Sequence, residues 1–273
     1  MRPWRNFLGS LIPLPMGSPQ MTVETGIEVL DQQADAEYRQ QLRLNPQAIA
    51  DTEHQWKNTR PLLLSPIFPE RGPALEFGCA FGATAVMLAR LGWDVTGIDI
   101  DERRVMLSQL NAVRYGVHAN FQHVLDTEHL PFPSAAFSLI SANSVLEYVA
   151  AEKLRGVCAE IDRVLKPGGI LFIGGTSNRL MPRETHSKRW FVNYLPTDRW
   201  QQGLWPWELK RLFRGYSDKL QGNDWLLKVK SGTGMRAAGL AALKCLDTVA
   251  RVSGTSLGTM LPSICLVLQK PKN

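Results

Sequence analysis

The sequence predicts an open, doubly wound α/β sheet, and three observations carry that prediction. Between residues 74 and 175, short apolar runs alternate with segments of helical periodicity, the pattern of a mostly parallel sheet covered on both faces. The first run, Ala74–Phe77, ends in a glycine turn that opens into a helix-forming segment. The composition, 44% hydrophobic and 21% charged over 273 residues, is that of a globular chain large enough to bury a substantial core. No apolar run approaches the roughly 20 residues that a membrane-spanning helix needs.

The elements follow in order. Residues 1–21 form an irregular lead. Arg2 and Arg5 stand before a short apolar stretch that weakly imitates a secretion signal, but Pro13 and Pro15 interrupt it. Residues 22–70 read as a helical cap, with helices expected at Glu28–Leu42 and Asn45–Thr59. Ala74–Phe77 is the first strand, and Ala83–Leu91 the helix after it, closed by Gly92. Asp94–Ile100 is the second strand. In Glu102–Tyr115, Val105, Leu107, Leu110 and Val113 can be buried along one helix. Asn120–Val124 and Leu139–Ala142 are further strands. Lys153–Leu165 places Leu154, Val157, Ile161, Val164 and Leu165 at helical spacing, and Pro167-Gly168-Gly169 stops it before the strand Ile170–Ile173. Beyond Gly175 the rhythm loosens into a stretch rich in Arg, Pro and Trp. Trp207–Phe213 reads as a short helix, Met235–Val252 as a long apolar helix that must bury most of its surface, and Ser263–Gln269 as a last strand.

Cys79, Cys158, Cys245 and Cys265 are widely spaced, without a CxxC pair. A disulfide framework and a metal site are therefore not expected, and a reduced, cytoplasmic setting is. The net charge is +6, and the segment 183–236, with eleven Lys/Arg against five Asp/Glu, carries an excess of that size. Such a segment suits an anionic substrate, a nucleic acid, a lipid surface or simply solvent.

The strongest local signal is Glu76-Phe77-Gly78-Cys79-Ala80-Phe81-Gly82. Gly78 permits an unusual backbone angle and close approach to a ligand, and Gly82 permits close packing at the helix start. In an open α/β sheet this turn lies where ligands bind, and Asp99, ending the next strand, is placed to accept hydrogen bonds from two ribose hydroxyls. A nucleotide-type ligand alone would allow NAD, FAD or S-adenosylmethionine (SAM). Two features discriminate. The G-x-G-x-x-G pattern is absent, and Glu76 beside the turn would repel a pyrophosphate yet suits the cationic methionine portion of SAM.

Residues 74–175 resemble the class I SAM-dependent methyltransferases, in particular the large group called type 11. The resemblance rests on the Glu76–Gly82 loop, on Gly97-Ile98-Asp99-Ile100, on Leu125-Asp126-Thr127-Glu128-His129-Leu130-Pro131, on Phe137–Ile140 followed by Val145-Leu146-Glu147-Tyr148-Val149, and on Glu160–Gly169. It implies a Rossmann-like sheet of seven strands, mostly parallel with the last one antiparallel, and an insertion before that last strand. Residues 71–273 would be the methyltransferase domain, with a SAM-binding half at 71–175 and an acceptor side at 176–260. It also implies that Gly78, Ala80 and Gly82 line the methionine portion, Glu76 orients its amino group, Asp99 holds the ribose and Ile100 packs on the adenine. Asp126 and Thr127 would sit on the adenine side and Asn143 near the methionine end. Three positions depart from the family pattern: Ala80 for a glycine, Ser138 for an acid and Tyr148 for a histidine.

The resemblance implies a methyl transfer to a small molecule (a sugar, a lipid or a secondary metabolite), directed to oxygen or carbon. His186, in the loop after the fifth strand, is the first candidate base because imidazole titrates near neutrality, and Tyr148 is the second. Arg183 and Glu184 share that loop. Trp190, Tyr194, Trp200, Trp205 and Trp207 are open to two roles, walling an acceptor or filling the core. A nucleic-acid methyltransferase using the basic 183–236 segment and a non-catalytic SAM-binding protein remain alternatives. No asparagine- or aspartate-proline-proline-aromatic motif supports the first. Peripheral membrane contact is compatible with the sequence.

Overall fold

The computed structural model describes residues 46–195, 202–232 and 236–272. The expected lead at 1–21, the helix Glu28–Leu42, Trp200 and Met235 lie outside the described residues. Seven strands form one sheet in the order β3-β2-β1-β4-β5-β7-β6. These are β1 (Pro73–Phe77), β2 (Asp94–Asp99), β3 (Asn120–His123), β4 (Phe137–Asn143), β5 (Leu165–Ser177), β6 (Ser217–Asp218) and β7 (Ser263–Gln269). Strands β1 to β5 pair in parallel, whereas β7 runs antiparallel to both β5 and β6.

Both faces of the sheet are covered, which is why its central strands are mostly apolar. On one face Met87, Trp93, Phe172 and Val267 join Leu62 in one core cluster. This layer comprises α1 (Pro46–Asn58), α2 (Arg60–Leu63), α3 (Ala83–Arg90), α4 (Glu102–Arg114), α7 (Trp225–Ser231) and α8 (Ala237–Val252). On the other face Leu75, Ile140 and Leu171 pack with Leu154, Val157 and Ile161 of α5 (Ala151–Val164) and with Leu209 of α6 (Pro206–Leu212). Helix α1 is bonded to α4, which in turn holds the β1–α3 loop. Asn111 Nδ2 donates to Thr52 Oγ1 at 2.9 Å and to the Phe81 carbonyl at 3.0 Å.

Three details differ from the sequence expectation. The Pro167-Gly168-Gly169 segment does not leave the sheet. Pairing shifts register between Phe137↔Leu165 and Leu139↔Ile170, and Gly168 takes the bulge at φ +75°. The two-residue strand β6 is too short to leave a periodic signal. Helix α8 buries only Leu243, Asp247 and Ala250 among its fully covered residues. Of its other apolar residues, Leu240 and Leu246 are half-buried, whereas Val249, Val252 and four of the five alanines are exposed.

The strand order reverses between β1 and β4. Ligands in open α/β sheets bind in the crevice beyond the carboxyl ends of the strands at such a point.

Candidate active site

A cavity of about 970 Å³ opens at this point, bordered by the β1–α3 loop, the ends of β2, β4 and β5, α1 and α7. The loop is fixed by its backbone. The Cys79 amide donates to the Ile98 carbonyl at 2.8 Å and the Gly82 amide to the Cys79 carbonyl at 2.7 Å. Gly78 has φ +70°, and a Cβ there would lie 2.2 Å from Val145 Cγ2, so both conformation and space demand glycine. Ala80 adopts φ +47°, a left-handed angle that costs a residue with a Cβ. Cys79 is buried, and its thiol is pushed up to about 12 by that burial, so it is a packing residue, not a nucleophile.

The cavity wall includes Glu76, Gly78, Ala80, Asp99, Ile100, Thr127, Asn143, Tyr148 and His186. Gly82 and Asp126 are not on it. Gly82 instead begins α3 at φ +74°, with Ser108 3.0 Å from where its Cβ would be. The exposed Asp126 carboxylate accepts from the Glu128 amide at 3.0 Å and pairs with His129 Nδ1 at 2.9 Å, and the latter bond lowers its pKa. It caps a turn, while its neighbours Leu125 and Thr127 face the cavity. Leu125 and Ile100 are exposed, two apolar surfaces that suit an adenine ring. Leu125 was not singled out by the sequence motif.

The remaining groups fit SAM. Glu76 is buried, its Oε2 has no hydrogen-bond partner, and burial raises its pKa well above the carboxylate range. A buried, unpaired carboxyl oxygen on a cavity wall is costly unless a cation or donor completes it, and the ammonium of SAM is such a group. Asp99 accepts from the Ala80 amide at 2.9 Å and from the Asp101 amide at 3.0 Å. These bonds hold its carboxylate at the wall with acceptor capacity left for a ribose diol. Asn143 Nδ2 donates to Thr84 Oγ1 at 3.0 Å.

The loop after β5 brings His186 to the cavity. Its Nε2 lies 2.9 Å from Oε1 of Glu147, a carboxylate with a fully buried side chain that also accepts from the Ser177 amide at 3.2 Å. The hydrogen bond to Glu147 raises the His186 pKa above the usual imidazole value. A carboxylate acceptor requires Nε2 to carry the proton, which leaves the lone pair of the neutral ring on Nδ1. Tyr148 packs against the imidazole, ring centroids 5.9 Å apart. Glu147 escaped the sequence reading because a single carboxylate in a short turn gives no local sign of a partner far along the chain.

The other loop residues serve the loop itself. Burial would raise the Glu184 carboxyl, but the amides of His186 and Ser187 donate to it and hold it down at about 2. Arg183 stacks near Trp190. Asn178 Nδ2 donates to the carbonyls of Thr259 and Leu261 at 2.9 and 2.8 Å, and Thr185 Oγ1 to that of Pro262 at 2.9 Å. Trp190, Tyr194, Trp205 and Trp207 do not border the cavity. Trp190, Tyr194 and Trp207 are exposed, so neither role expected for them from sequence holds. The cavity wall also includes the apolar Leu62, Phe172, Leu226, Val229 and Ile264, and polar groups such as His54, Asn58, Arg104, Lys153 and Lys230. Among the described residues no cluster of potential metal ligands occurs.

Residues 75–173 match the family model described as a methyltransferase domain. A ubiquinone biosynthesis O-methyltransferase of Caulobacter vibrioides is 31% identical over 155 residues, covering 54% of this chain and 60% of that relative. An uncharacterized methyltransferase of Bacillus subtilis, YodH, is 36% identical over 99 residues, 36% of this chain and 41% of its own length. The chain thus spans about three fifths of the first of these relatives. A SAM-dependent methyltransferase from Archaeoglobus fulgidus shares the fold with a TM-score of 0.51 at 13% identity, over 86% of this chain and 100% of that one. Residues 75–173 thus carry a methyltransferase domain, and SAM is the cofactor of the class I enzymes that the chain resembles.

Proposed function

We propose that this protein methylates a hydroxyl group of a small molecule, with His186 as general base. The observation that carries the reading is the 2.9 Å contact between His186 and the buried Glu147 on the wall of the cavity. SAM, when bound, supplies a methyl group made electrophilic by its sulfonium. The protein's own tasks are to hold the cofactor, to align the acceptor and to take up the acceptor's proton. Glu76 would hold the ammonium, Asp99 the ribose, and Ile100 and Leu125 the adenine.

His186 acts at Nδ1. As the acceptor hydroxyl loses its proton to Nδ1, the ring becomes an imidazolium, and Glu147, bonded to Nε2, stabilises that charge while fixing the tautomer. An amine acceptor would need no such base. The printed name of the Caulobacter relative, an O-methyltransferase, supports an oxygen acceptor. The apolar walls at Leu62, Phe172, Leu226 and Val229 suit an acceptor with an apolar body better than a bare sugar. In the basic segment, Lys210 and Lys228 are paired with Asp218 and Asp224, so these two are not set aside for a nucleic-acid backbone.

The test is transfer from methyl-labelled SAM into a fractionated cell extract, with Asp99→Ala and His186→Gln beside the wild type. Label in the lipid or small-molecule fraction, absent with both variants while His186→Gln still binds SAM, is the expected result. Label in the nucleic-acid fraction, or SAM binding without any transfer, would overturn the reading.

A further inference from the structure

The loop that carries His186 toward the cavity also turns a set of large side chains outward. Trp190 and Phe191 are each 61% exposed and Tyr194 49%. The rings of Trp190 and Phe191 lie 6.0 Å apart, so they form one patch rather than scattered exposures. Single exposed apolar residues are ordinary, but a contiguous group marks a contact surface. Arg183, Lys188 and Arg189 are exposed on the same loop, and Arg183 lies over the Trp190 ring. The loop's acid, Glu184, is buried and accepts from two backbone amides, so the exposed charges of the loop are basic.

The backbone holds this display in place at a cost. Lys188 and Phe191 adopt left-handed angles, φ +59° and +63°, which residues with a Cβ rarely take. The Phe191 amide donates to the Pro182 carbonyl, closing the loop beneath the exposed rings.

We propose that the 183–194 loop docks the protein onto an anionic lipid surface. Tryptophan and tyrosine are the side chains suited to the boundary between headgroups and acyl chains, and phenylalanine adds apolar insertion. Arginine and lysine beside them meet the negative surface of anionic lipids, and an apolar and a basic contribution together give stable though reversible binding. Two copies meeting through this loop would bring like charges together, which an anionic lipid surface does not. The docking does not depend on methyl transfer, and its failure leaves the reading of the active site untouched.

The experiment is co-sedimentation of the full chain with vesicles of phosphatidylcholine alone and of phosphatidylcholine mixed with phosphatidylglycerol. Two variants keep the loop's backbone, because asparagine tolerates left-handed angles: Trp190→Ser with Phe191→Asn, and Lys188→Asn. Unchanged SAM binding certifies that each is folded. Wild type should sediment with the mixed vesicles and far less with the neutral ones. The aromatic pair should lower binding by roughly tenfold or more, and Lys188→Asn by about fivefold. Wild type that stays in the supernatant with both vesicles, or a double variant that binds as well as wild type, overturns the proposal. So does sedimentation velocity showing a wild-type dimer that the aromatic pair dissolves, since the patch would then join two copies of the chain.

Discussion

Glu147 and His186 meet at 2.9 Å across 39 positions of chain, one side chain buried and the other on the cavity wall. A base in this arrangement works only when neutral. Because Glu147 raises its pKa, the rate should climb with pH along a limb whose midpoint lies above the ordinary imidazole value. His186→Gln should reduce kcat by about 10²–10⁴ with little change in SAM affinity. Glu147→Gln should reduce it by roughly tenfold to a hundredfold and move the limb to lower pH. A limb that stays in place would show that Glu147 does not act through His186. The same pair affects stability with the opposite slope. Its contribution is complete below the unfolded imidazole pKa and fades as pH rises through the higher folded value.

Glu76 should show two effects of opposite sign. Glu76→Gln removes the partner of the cofactor's ammonium and should weaken SAM binding by about 10- to 100-fold, the worth of a charged hydrogen bond. Without ligand, the variant should melt no lower than wild type, because the wild-type carboxyl is buried with Oε2 unpaired. In the wild type, SAM affinity should strengthen as pH rises through the raised Glu76 pKa, since the ammonium prefers the ionised acid. Calorimetric titration across pH reads both outcomes, and a pH-independent affinity would remove Glu76 from the ammonium site.

Gly78→Ala should cost about 2 kcal/mol or more and abolish SAM binding, since the new Cβ meets Val145 Cγ2 at 2.2 Å. Adding Val145→Ala should restore part of the stability. The positive φ remains, so the recovery is incomplete. Chemical denaturation of the single and double variants measures the coupling.

Ala80→Gly should be neutral or stabilising by up to about 1 kcal/mol, because relief of the left-handed angle at φ +47° outweighs the added freedom of the unfolded chain. A clear loss of stability would mean that the Ala80 methyl packs favourably in the loop.

The central strands, the glycine loop and the acid after β2 were legible because each obeys a local rule. Buried parallel strands are mostly apolar, a tight turn at positive φ needs glycine, and an acid that closes a strand lies at the sheet's carboxyl edge. Gly78 and Asp99 are placed by their own neighbours in sequence. Glu147 and the tryptophans were not legible in this way. Whether Glu147 is surface or site depends on a loop that returns 39 residues later, and nothing in Leu146-Glu147-Tyr148 records that return. Trp190 and Phe191 face outward because of backbone angles at Lys188 and Phe191 that neither residue type suggests. Asp126 shows the converse case. Its motif pointed to the adenine side, but a neighbouring histidine and amide hold its carboxylate in a turn.

The tether between Asn178 and the carbonyls of Thr259 and Leu261 has a consequence for the order in which the molecule matures. During synthesis the β1–α3 loop and Asp99 emerge early and can take shape from their own strands. The loop bearing His186 gains its anchors only when Thr259, Leu261 and Pro262 have left the ribosome. A chain truncated before residue 259 would keep the strands around the β1–α3 loop yet lose the acceptors that pin the His186 loop, so that loop takes its place only after they have been made.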